Sequence, residues 1–367
     1  MPHAKHVVKS MWRDRRLLDL FGIEHPIVQA PMAGSQGSAL AIAVCEAGGL
    51  GSLPCALLSI EQARTEMQVI RQGTDRPFNV NFFCHQPPAP DAAREAKWIE
   101  RLAPYARELG VAAPTVPGGR APFGDEACAL VEDFKPRVAS FHFGLPEKRL
   151  LDRVRAAGAV VIASATTVAE ARWLEERGVD AVIAQGAEAG GHRGIFLSDD
   201  VASQPGTFAL VPQVVDAVRL PVIAAGAVGD ARGIAAALML GAAGVQIGTA
   251  YLLTPEATNS PIHRAAVKGA REDQTVMTNV FTGRPARGIV NRIVREVGPI
   301  SVDAPAFPGA SNATLPLRMK AEAAGSGDFS PLWSGQAPRF AREMPAGELT
   351  RELARSTLAL LEKMGTP

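Results

Sequence analysis

One stretch of the chain, Pro221–Thr249, most narrows the folds that the chain can adopt. It begins and ends with short apolar runs, Pro221–Ala225 and Gly244–Ile247, whose length and β-branched content are typical of buried strands. The Ala-rich segment Ala231–Leu240 lies between them and has the composition of a helix. The pattern predicts a strand–helix–strand unit with parallel strands. Glycines and a candidate N-cap mark its turns: Gly226, Gly229, Asp230, Gly241 and Gly248.

The two turns that follow the strands of this unit lie at the same end, the carboxyl ends of the parallel strands. Glycines there let backbone N–H groups approach a ligand closely, and a helix N-terminus favours an anion. In the last two strand–helix units of a barrel, such turns form the usual phosphate-binding site. Close packing of the helix on the strands is the alternative role for the same small residues. Because two such turns occur in succession, a phosphate-binding site is the preferred interpretation.

Short apolar runs that end in polar or glycine residues recur eight times, with segments of helical pattern between them. Eight strand–helix alternations predict a (β/α)₈ TIM barrel, a fold of the α/β class. A doubly wound open sheet is the alternative, but no GxGxxG turn follows the first run, which counts against a dinucleotide-binding site. The predicted strands are Pro26–Ala30, Gly49–Leu53, Phe78–Phe82, Val138–Phe141, Val160–Ala163, Ala181–Ala184, Val222–Ala225 and Val245–Ile247.

The barrel is predicted to occupy residues 1–252. Within it, residues 84–125 are too long for a simple connection, and we expect an elaborated loop after the third strand with a helix near Ala92–Leu109. Long ordered loops of this kind are usually functional.

The chain after the eighth strand is also longer than one helix requires. Residues 253–335 are predicted to form a smaller helical lid domain over the barrel mouth, with a helix over Ser260–Arg271 and an irregular stretch at Phe281–Asn291. Residues 336–367 are predicted to return to the barrel. Apolar residues at helical spacing predict a closing helix there, over Gly347–Met364.

The charges of the chain nearly cancel, with 38 Lys and Arg against 37 Asp and Glu and a net charge of +1. Nucleic-acid binding needs a clustered excess of basic residues, so it is excluded. No apolar run of about twenty residues predicts a membrane span, and the basic N-terminus lacks the apolar segment of a signal peptide. The cysteines have no CxxC spacing, which favours reduced thiols in a cytoplasmic protein over a metal site or disulfides. They are Cys45, Cys55, Cys84 and Cys128.

Amide and hydroxyl side chains, rather than charged ones, follow the predicted strands at the end where barrel enzymes act. Asn79 and Asn81 share one face of the third strand, and Gln185 ends the sixth. Amides donate and accept at one site, as the carbonyl and N–H edges of a heteroaromatic ring require. Bonding of these amides to loop backbone alone is the alternative. Together with a phosphate-binding site, this rim predicts flavin mononucleotide (FMN) as the cofactor.

Three basic residues are candidates for contact with a substrate. His192 lies in a Gly-rich loop that allows close approach, and it is the candidate base or hydrogen-bond partner of an anion. His142 lies in an aromatic strand end, where a structural histidine is the alternative. Arg287, in the stretch Thr282–Gly288, is a candidate for binding an anionic substrate or for a surface ion pair. Glu188 is interpreted as structural.

Several of these stretches resemble the class I nitronate monooxygenases, formerly called 2-nitropropane dioxygenases. The barrel stretches are shared by the wider flavin family, whereas the surroundings of His142 and His192 and the late Leu-Trp-Ser-Gly-Gln run are more specific to the class. The resemblance extends from residue 26 to about residue 340. It rests on Gln29–Gly34, Phe78–Cys84, Ser140–Gly144, Gln185–Gly194, Gly244–Thr249, Gly283–Gly288 and Asp328–Gln336.

The resemblance implies a barrel with non-covalent FMN and oxidation of alkyl nitronates, such as propionate 3-nitronate, by O₂ to a carbonyl compound and nitrite. It implies that His192 is the catalytic histidine, which holds the nitronate and deprotonates a neutral nitroalkane where that activity exists. His142 and Arg287 are expected to bind substrate, and no metal is expected. Cofactor contacts are expected from Ala30, Met32, Asn81, Gln185, Gly190, Gly191, Gly226, Ala227, Gln246, Gly248 and Thr249.

Two departures from the family pattern concern the turn after the seventh strand and the lid. Ala227 stands where relatives often have glycine, which tightens that turn. The lid of relatives carries tyrosines and a lysine, where this chain offers Phe307, Asn312 and Arg318. The substrate range is therefore left open.

An FMN-dependent NAD(P)H reductase of quinones or enoyl thioesters on the same barrel is the nearest alternative. A flavin-free isomerase or dehydrogenase and a non-catalytic flavin-binding protein are further alternatives. Related purine-nucleotide dehydrogenases need a nucleophilic Cys after the sixth strand, and no Cys follows Cys128. The expected partners are a nitronate and O₂, and the protein is expected to be a monomer or a homodimer.

Overall fold

The computed structural model describes residues 12–112 and 121–365. Its strands are short and mostly buried, as the apolar runs predict. They are β1 (Ile27–Gln29), β2 (Gly51–Pro54), β3 (Phe78–Phe83), β4 (Val138–His142), β5 (Val160–Ala165), β6 (Ala181–Gln185), β7 (Gly191–His192), β8 (Val222–Ala225), β9 (Gly244–Ile247), β10 (Thr275–Thr278) and β11 (Ala286–Ile289).

Helices alternate with the strands of the barrel and continue beyond it. Several have caps that the sequence predicts; the Asp230 side chain, for example, accepts a hydrogen bond from the backbone of Gly233 at 3.0 Å. The helices are α1 (Arg16–Phe21), α2 (Ser38–Glu46), α3 (Ile60–Gly73), α4 (Ala92–Leu109), α5 (Asp125–Phe134), α6 (Lys148–Ala156), α7 (Val168–Glu176), α8 (Thr207–Ala217), α9 (Ala231–Met239), α10 (Pro261–Gly269), α11 (Arg292–Val297), α12 (Ala310–Ala323) and α13 (Ala346–Lys363).

Eight parallel strands form one sheet in the order β1-β9-β8-β6-β5-β4-β3-β2. Its two end strands also meet: the backbone N–H of Gln29 donates to Leu50 and that of Leu50 to Ile27, each at 2.9 Å. The sheet is therefore a closed barrel, and each predicted apolar run supplies one of its strands. This confirms the predicted TIM barrel and excludes the open doubly wound sheet. Because the strands are parallel, all their carboxyl ends lie at one mouth.

The chain after β9 is less uniformly helical than its sequence predicts. It contains α10, α11 and α12, but also an antiparallel sheet in the order β10-β11-β7. The expectation of an irregular stretch at Phe281–Asn291 was wrong, because β11 lies within it. This strand was missed because its four residues, Ala-Arg-Gly-Ile, have no regular apolar alternation; β11 pairs with β10 on one side and with the two-residue β7 on the other.

A second hydrophobic core joins this segment to the long loop after β3. Trp98 and Leu102 of α4 pack with Ile293, Leu317 and Phe329, and all five are buried. The two regions that interrupt the barrel pattern therefore support each other. Residues 113–120 of the predicted loop lie outside the described residues, and the role of residues 253–335 as a lid stays a prediction.

The last helix, α13, closes the barrel from outside. It packs on α2 and α9, and the hydroxyl groups of Tyr251 and Thr350 are hydrogen-bonded at 2.8 Å. No helix in the described part of the chain is both long and apolar enough to span a membrane. The four cysteines are buried free thiols, and burial raises the pKa of Cys45 and of Cys55 to about 12.

Candidate active site

A cleft of about 390 Å³ lies at the carboxyl ends of the barrel strands. Every residue that the sequence predicts to contact the cofactor lines this cleft, and so do His142 and His192. Arg287 is the one predicted site residue that is absent from its lining. The predicted cofactor residues in the lining are Ala30, Met32, Asn81, Gln185, Gly190, Gly191, Gly226, Ala227, Gln246, Gly248 and Thr249.

The turn after β8 has a backbone that side chains rarely adopt. Gly226 has φ +120°, and a Cβ there would lie 2.6 Å from the hydroxyl oxygen of Thr207. Ala227 follows with φ +56°, in the left-handed region that favours glycine. This conformation leaves the backbone of the turn open to the cleft at the N-terminal end of α9. Such an arrangement suits an anion.

The turn after β9 is closed by a late part of the chain. The N–H of Gly335 donates to the hydroxyl oxygen of Thr249 at 2.9 Å. A Cβ on Gly190 would lie 2.5 Å from the nitrogen of Gly335, so these two backbones touch. Ser334 and Gly335 therefore belong to the cleft, although neither was among the predicted site residues. The late Leu-Trp-Ser-Gly-Gln run was the signal that could have included them.

The amide side chains at the barrel mouth differ in how far they are paired. Asn81 donates to the hydroxyl of Ser140 at 3.0 Å. Gln185 donates to the carbonyl of His192 at 3.0 Å and accepts from the N–H of Gly194 at 2.7 Å. The Oε1 atom of Gln246 is buried and has no hydrogen-bond partner within the described residues. An unpaired buried acceptor is costly, so this atom marks a place where a ligand donor fits.

Asn79 shares its strand face with Asn81, but it lies deeper in the barrel and does not line the cleft. Its amide donates to the hydroxyl of Ser52 at 2.9 Å, and the residue is fully buried. Of the two asparagines, Asn81 alone reaches the cleft.

His192 lies at the end of β7, where it pairs with Ala286 of β11. Its Nε2 atom is 2.9 Å from the hydroxyl oxygen of Thr282. The rings of Phe307 and Trp333 each lie with their centroids 5.5 Å from that of His192. The imidazole is therefore held between the barrel and the segment after it, beside aromatic side chains that exclude water.

His142 lies directly beneath the loop of His192. Its Nδ1 atom is 3.0 Å from the hydroxyl oxygen of Ser164, and its Nε2 atom is 3.2 Å from the carbonyl oxygen of His192. Removal of the ring from water, with a smaller effect of the nearby cations Arg284 and Arg193, lowers the pKa of His142 to about 3. The neutral imidazole is therefore the stable form at neutral pH.

Two arginines, Arg193 and Arg284, lie behind the site rather than in its lining. Arg193 is fully buried and donates to the carbonyls of Gly186 and Gln185 at 2.5 and 2.6 Å. Arg284 stacks on Phe143, with its guanidinium carbon 4.0 Å from the ring centroid. Burial lowers the pKa of Arg193 and of Arg284 to about 10, so both remain cationic at neutral pH.

The expected contact of Arg287 with substrate is not supported by its position. Its guanidinium donates to the carbonyl of Ala187 at 2.9 Å and to the carbonyl and hydroxyl of Thr275 at 3.3 and 3.2 Å. These contacts give it a structural role, holding the loop after β6 against β10. Glu188 of the same loop accepts from the N–H of Thr207 at 2.7 Å, which caps α8 and agrees with its structural interpretation.

The far end of the cleft is formed by α10 and α12, which the prediction of site residues did not include. His263 lies 2.9 Å from the carbonyl of Trp333, and the buried amide of Asn259 has no partner for either polar atom within the described residues. Arg318 is the one Lys or Arg among the described lining residues, and it pairs with Glu322 at 2.8 Å. Asn312 also lines the cleft. This end is more polar than the end at His192.

Comparisons with known proteins agree with this geometry. The protein-family model described as nitronate monooxygenase matches residues 14–356. The chain is similar to the nitronate monooxygenase of Paraburkholderia phytofirmans, with 42% identity over 95% of this chain and 97% of that protein. It is equally similar to that of Pseudomonas aeruginosa, with 42% identity over 92% of this chain and 97% of that protein.

A solved structure extends the likeness to the fold. The nitroalkane oxidase of Streptomyces ansochromogenes superposes with a TM-score of 0.88 at 41% identity, covering 95% of this chain and 99% of that one. Sequence and fold therefore agree over nearly the whole length of both chains. The chain belongs to the nitronate monooxygenase family and is an oxidoreductase.

Proposed function

We propose that this enzyme binds FMN in the cleft and oxidises alkyl nitronates with O₂ to a carbonyl compound and nitrite. One observation carries the proposal: His192, the unpaired Oε1 of Gln246 and the open turns after β8 and β9 all border the same cleft. A site for an anionic group, a polar ring edge and a reacting substrate is thus assembled in one place. The names of the similar proteins support the same reaction.

The residues at the cleft fit FMN. The backbone of Gly226, Ala227, Gly248 and Thr249 would hold the phosphate, since open turns and a helix N-terminus favour anions. Gln246 offers an acceptor that lacks a donor, as the N–H edge of a flavin would supply. When bound, FMN supplies the acceptor for the electrons of the substrate. The remaining predicted ring contacts are Ala30, Met32, Asn81, Gln185, Gly190 and Gly191.

His192 is proposed to hold the nitronate by a hydrogen bond from its imidazole and to take the proton from a neutral nitroalkane. Phe83 and Trp333 line the cleft beside the ring of His192 and exclude water, which strengthens such a bond. The buried cations Arg193 and Arg284 lie behind the site and favour an anion over a neutral ligand.

The domain assignment is part of this proposal. Residues 253–335 would act as a lid, because Phe281, Thr282 and residues of α10 and α12 border the cleft beyond the barrel strands. We also place the enzyme in the cytoplasm as a monomer or homodimer, and sedimentation of the purified protein distinguishes the two states.

Anaerobic mixing of the purified flavoprotein with a nitronate, and separately with NADH, tests the function. We expect the flavin absorbance near 450 nm to be bleached by propionate 3-nitronate and unchanged by NADH. Bleaching by NADH alone would instead support the NAD(P)H reductase. The names of the relatives do not favour that alternative.

The variant His192→Asn tests the assigned residue. We expect it to retain FMN and to lose about a hundredfold or more in kcat/KM for nitronates, since a positioned acid or base contributes at least that much. Steady-state oxygen consumption measures the loss. His25→Asn is the matched control, because His25 precedes β1 at the opposite end of the barrel, where it lies 3.4 Å from the indole nitrogen of Trp12. Full activity in His192→Asn would remove His192 from the mechanism.

A further inference from the structure

The carbonyl oxygen of His192 accepts hydrogen bonds from two side chains of the barrel. Gln185 Nε2, at the end of β6, donates to it at 3.0 Å. His142 Nε2, at the end of β4, lies 3.2 Å from the same oxygen. A carbonyl oxygen can only accept, so the hydrogen of the His142 ring must be on Nε2. Two donors thus converge on the backbone of the residue that we propose to act on substrate.

Ser164 determines the other side of the His142 ring. Its hydroxyl oxygen lies 3.0 Å from Nδ1, which carries no hydrogen in this tautomer and therefore accepts the hydroxyl proton. Burial keeps the pKa of His142 far below neutrality, at about 3. A neutral ring with a fixed tautomer is a permanent donor, whereas a general base must exchange its proton near the working pH.

The loop of His192 also rests on these side chains. A Cβ on Gly194 would lie 3.0 Å from Cε1 of His142 and 3.1 Å from Cβ of Ser164. The N–H of Gly194 donates to Oε1 of Gln185 at 2.7 Å. The backbone at Gly194 therefore packs closely on the ring of His142 and on Ser164, so a side chain at this position would be tight.

We propose that His142, oriented by Ser164, is a positioning residue that together with Gln185 fixes the backbone of His192 and thereby the place of its imidazole in the cleft. His142 exchanges no proton with the substrate. The need for such support follows from the sequence of the loop, since Gly186, Gly190, Gly191 and Gly194 give it a flexible backbone. The inference rests on the proposed function only for its kinetic test.

Kinetics of His142→Ala, His142→Gln and Ser164→Ala provide that test. We expect His142→Ala to keep FMN and to lower kcat about a hundredfold with little change in KM, because a displacement of about 1 Å in a reacting group costs that much. His142→Gln retains an N–H donor and should recover at least about tenfold of the loss. Ser164→Ala should fall between wild type and His142→Ala. The pH profile of kcat should keep its shape in all three variants.

Two kinetic outcomes would overturn the inference. Full kcat in His142→Ala would show that the carbonyl of His192 needs no such donor. Loss of one ionisation from the pH profile of His142→Gln would show that His142 takes part in proton transfer. His25→Gln again serves as the control, with unchanged kcat expected.

A spectroscopic measurement on the flavoprotein tests the tautomer without any turnover. In the ¹⁵N spectrum of histidine-labelled protein, the His142 signals are those missing from His142→Gln. We expect them to report a hydrogen on Nε2 and to stay unchanged between pH 5 and 8. A hydrogen on Nδ1, or titration within that range, would overturn the inference. If the wild type does not oxidise nitronates, the proposed function fails while this measurement still decides the role of His142.

Discussion

At the scale of single residues, the cleft separates polar groups that the protein satisfies from groups that it leaves for a ligand. Both polar atoms of the Gln185 amide are hydrogen-bonded, the nitrogen to the carbonyl of His192 and the oxygen to the N–H of Gly194. The acceptor of Gln246 is buried and has no partner within the described residues. The two glutamines therefore have opposite effects on stability. Gln185 stabilises the loop that carries His192, whereas the unpaired acceptor of Gln246 destabilises the protein until a ligand binds.

This contrast predicts the behaviour of two matched variants. Gln246→Leu should raise the free energy of unfolding of the flavin-free protein by about 1 kcal/mol, since it removes an unsatisfied acceptor, and should weaken FMN binding. Gln185→Leu should lower that free energy, because the loop loses its two hydrogen bonds to this amide. Chemical denaturation of the flavin-free variants and fluorescence titration with FMN measure the two effects. Destabilisation of the flavin-free protein by Gln246→Leu would contradict the expectation.

The lining of the cleft was largely predictable from residue type and place in the chain. Amides and glycines at strand ends must lie at one mouth once the strands are parallel. Arg287 was not predictable in this way, because its side chain turns to the carbonyl of Ala187, a hundred residues earlier, instead of to the cleft. Whether a guanidinium binds a ligand or backbone carbonyls depends on such distant contacts, which residue spacing does not reveal.

At the scale of elements, the turn between β8 and α9 is held in a conformation that few residues can adopt. It joins a strand of the barrel to the N-terminus of a helix through a glycine with φ +120° and an alanine with φ +56°. The hydroxyl of Thr207, at the start of α8, packs into the space that a Cβ on Gly226 would need. The shape of the turn therefore depends on two neighbouring helices as well as on its own residues.

Gly226→Ala tests the turn. We expect a loss of roughly 1–2 kcal/mol of stability from the left-handed backbone, with further loss from the clash with Thr207, and much weaker FMN binding. Gly158→Ala is the matched control, since Gly158 has φ +90° and open space around its missing Cβ. The Gly158→Ala variant should also lose about 1 kcal/mol of stability from its backbone conformation, but it should bind FMN as the wild type does. Equal FMN affinity in both variants would argue against a cofactor role for this turn.

The elements themselves were predictable where the pattern is local. All eight barrel strands are apolar runs bounded by glycine or polar residues, and α3, α4, α7 and α9 begin at residues whose side chains cap them. β7 was missed because two residues of a Gly-rich loop have no strand pattern until the distant β11 pairs with them. β10 and β11 pair locally, but their four-residue runs have no regular apolar alternation. Pairing across such a sequence distance is a property of the folded chain and not of either segment alone.

At the scale of the whole molecule, histidines removed from water make stability depend on pH below neutrality. Burial lowers the pKa of His142 to about 3, and that of His263 is lowered for the same reason. In the unfolded chain a histidine titrates near 6.5, so between the two values the unfolded state binds more protons than the folded state. The contribution of His142 is thus complete above about pH 6.5 and declines as the pH falls from there towards about 3.

The pH dependence of unfolding in His142→Gln measures this contribution. From pH 6.5 to pH 4, the wild type should lose stability more steeply than the variant, by up to about 1.4 kcal/mol per pH unit. The pair of Asp125 with Arg149 does not interfere, since the pKa of Asp125 is lowered to about 2 and its contribution declines only below about pH 4. Urea unfolding at successive pH values tests the difference, and parallel curves would contradict it.

The pairing of β7 with β11 has a mechanical consequence. Gly191 and His192 of β7 pair with β11. The N–H of Arg193 donates to the carbonyl of Pro285 at 2.9 Å. A hinge motion that lifts residues 286–289 must therefore carry His192 with it. If residues 253–335 act as the proposed lid, wide opening would displace the imidazole, and the same backbone tether would couple substrate entry to the position of His192.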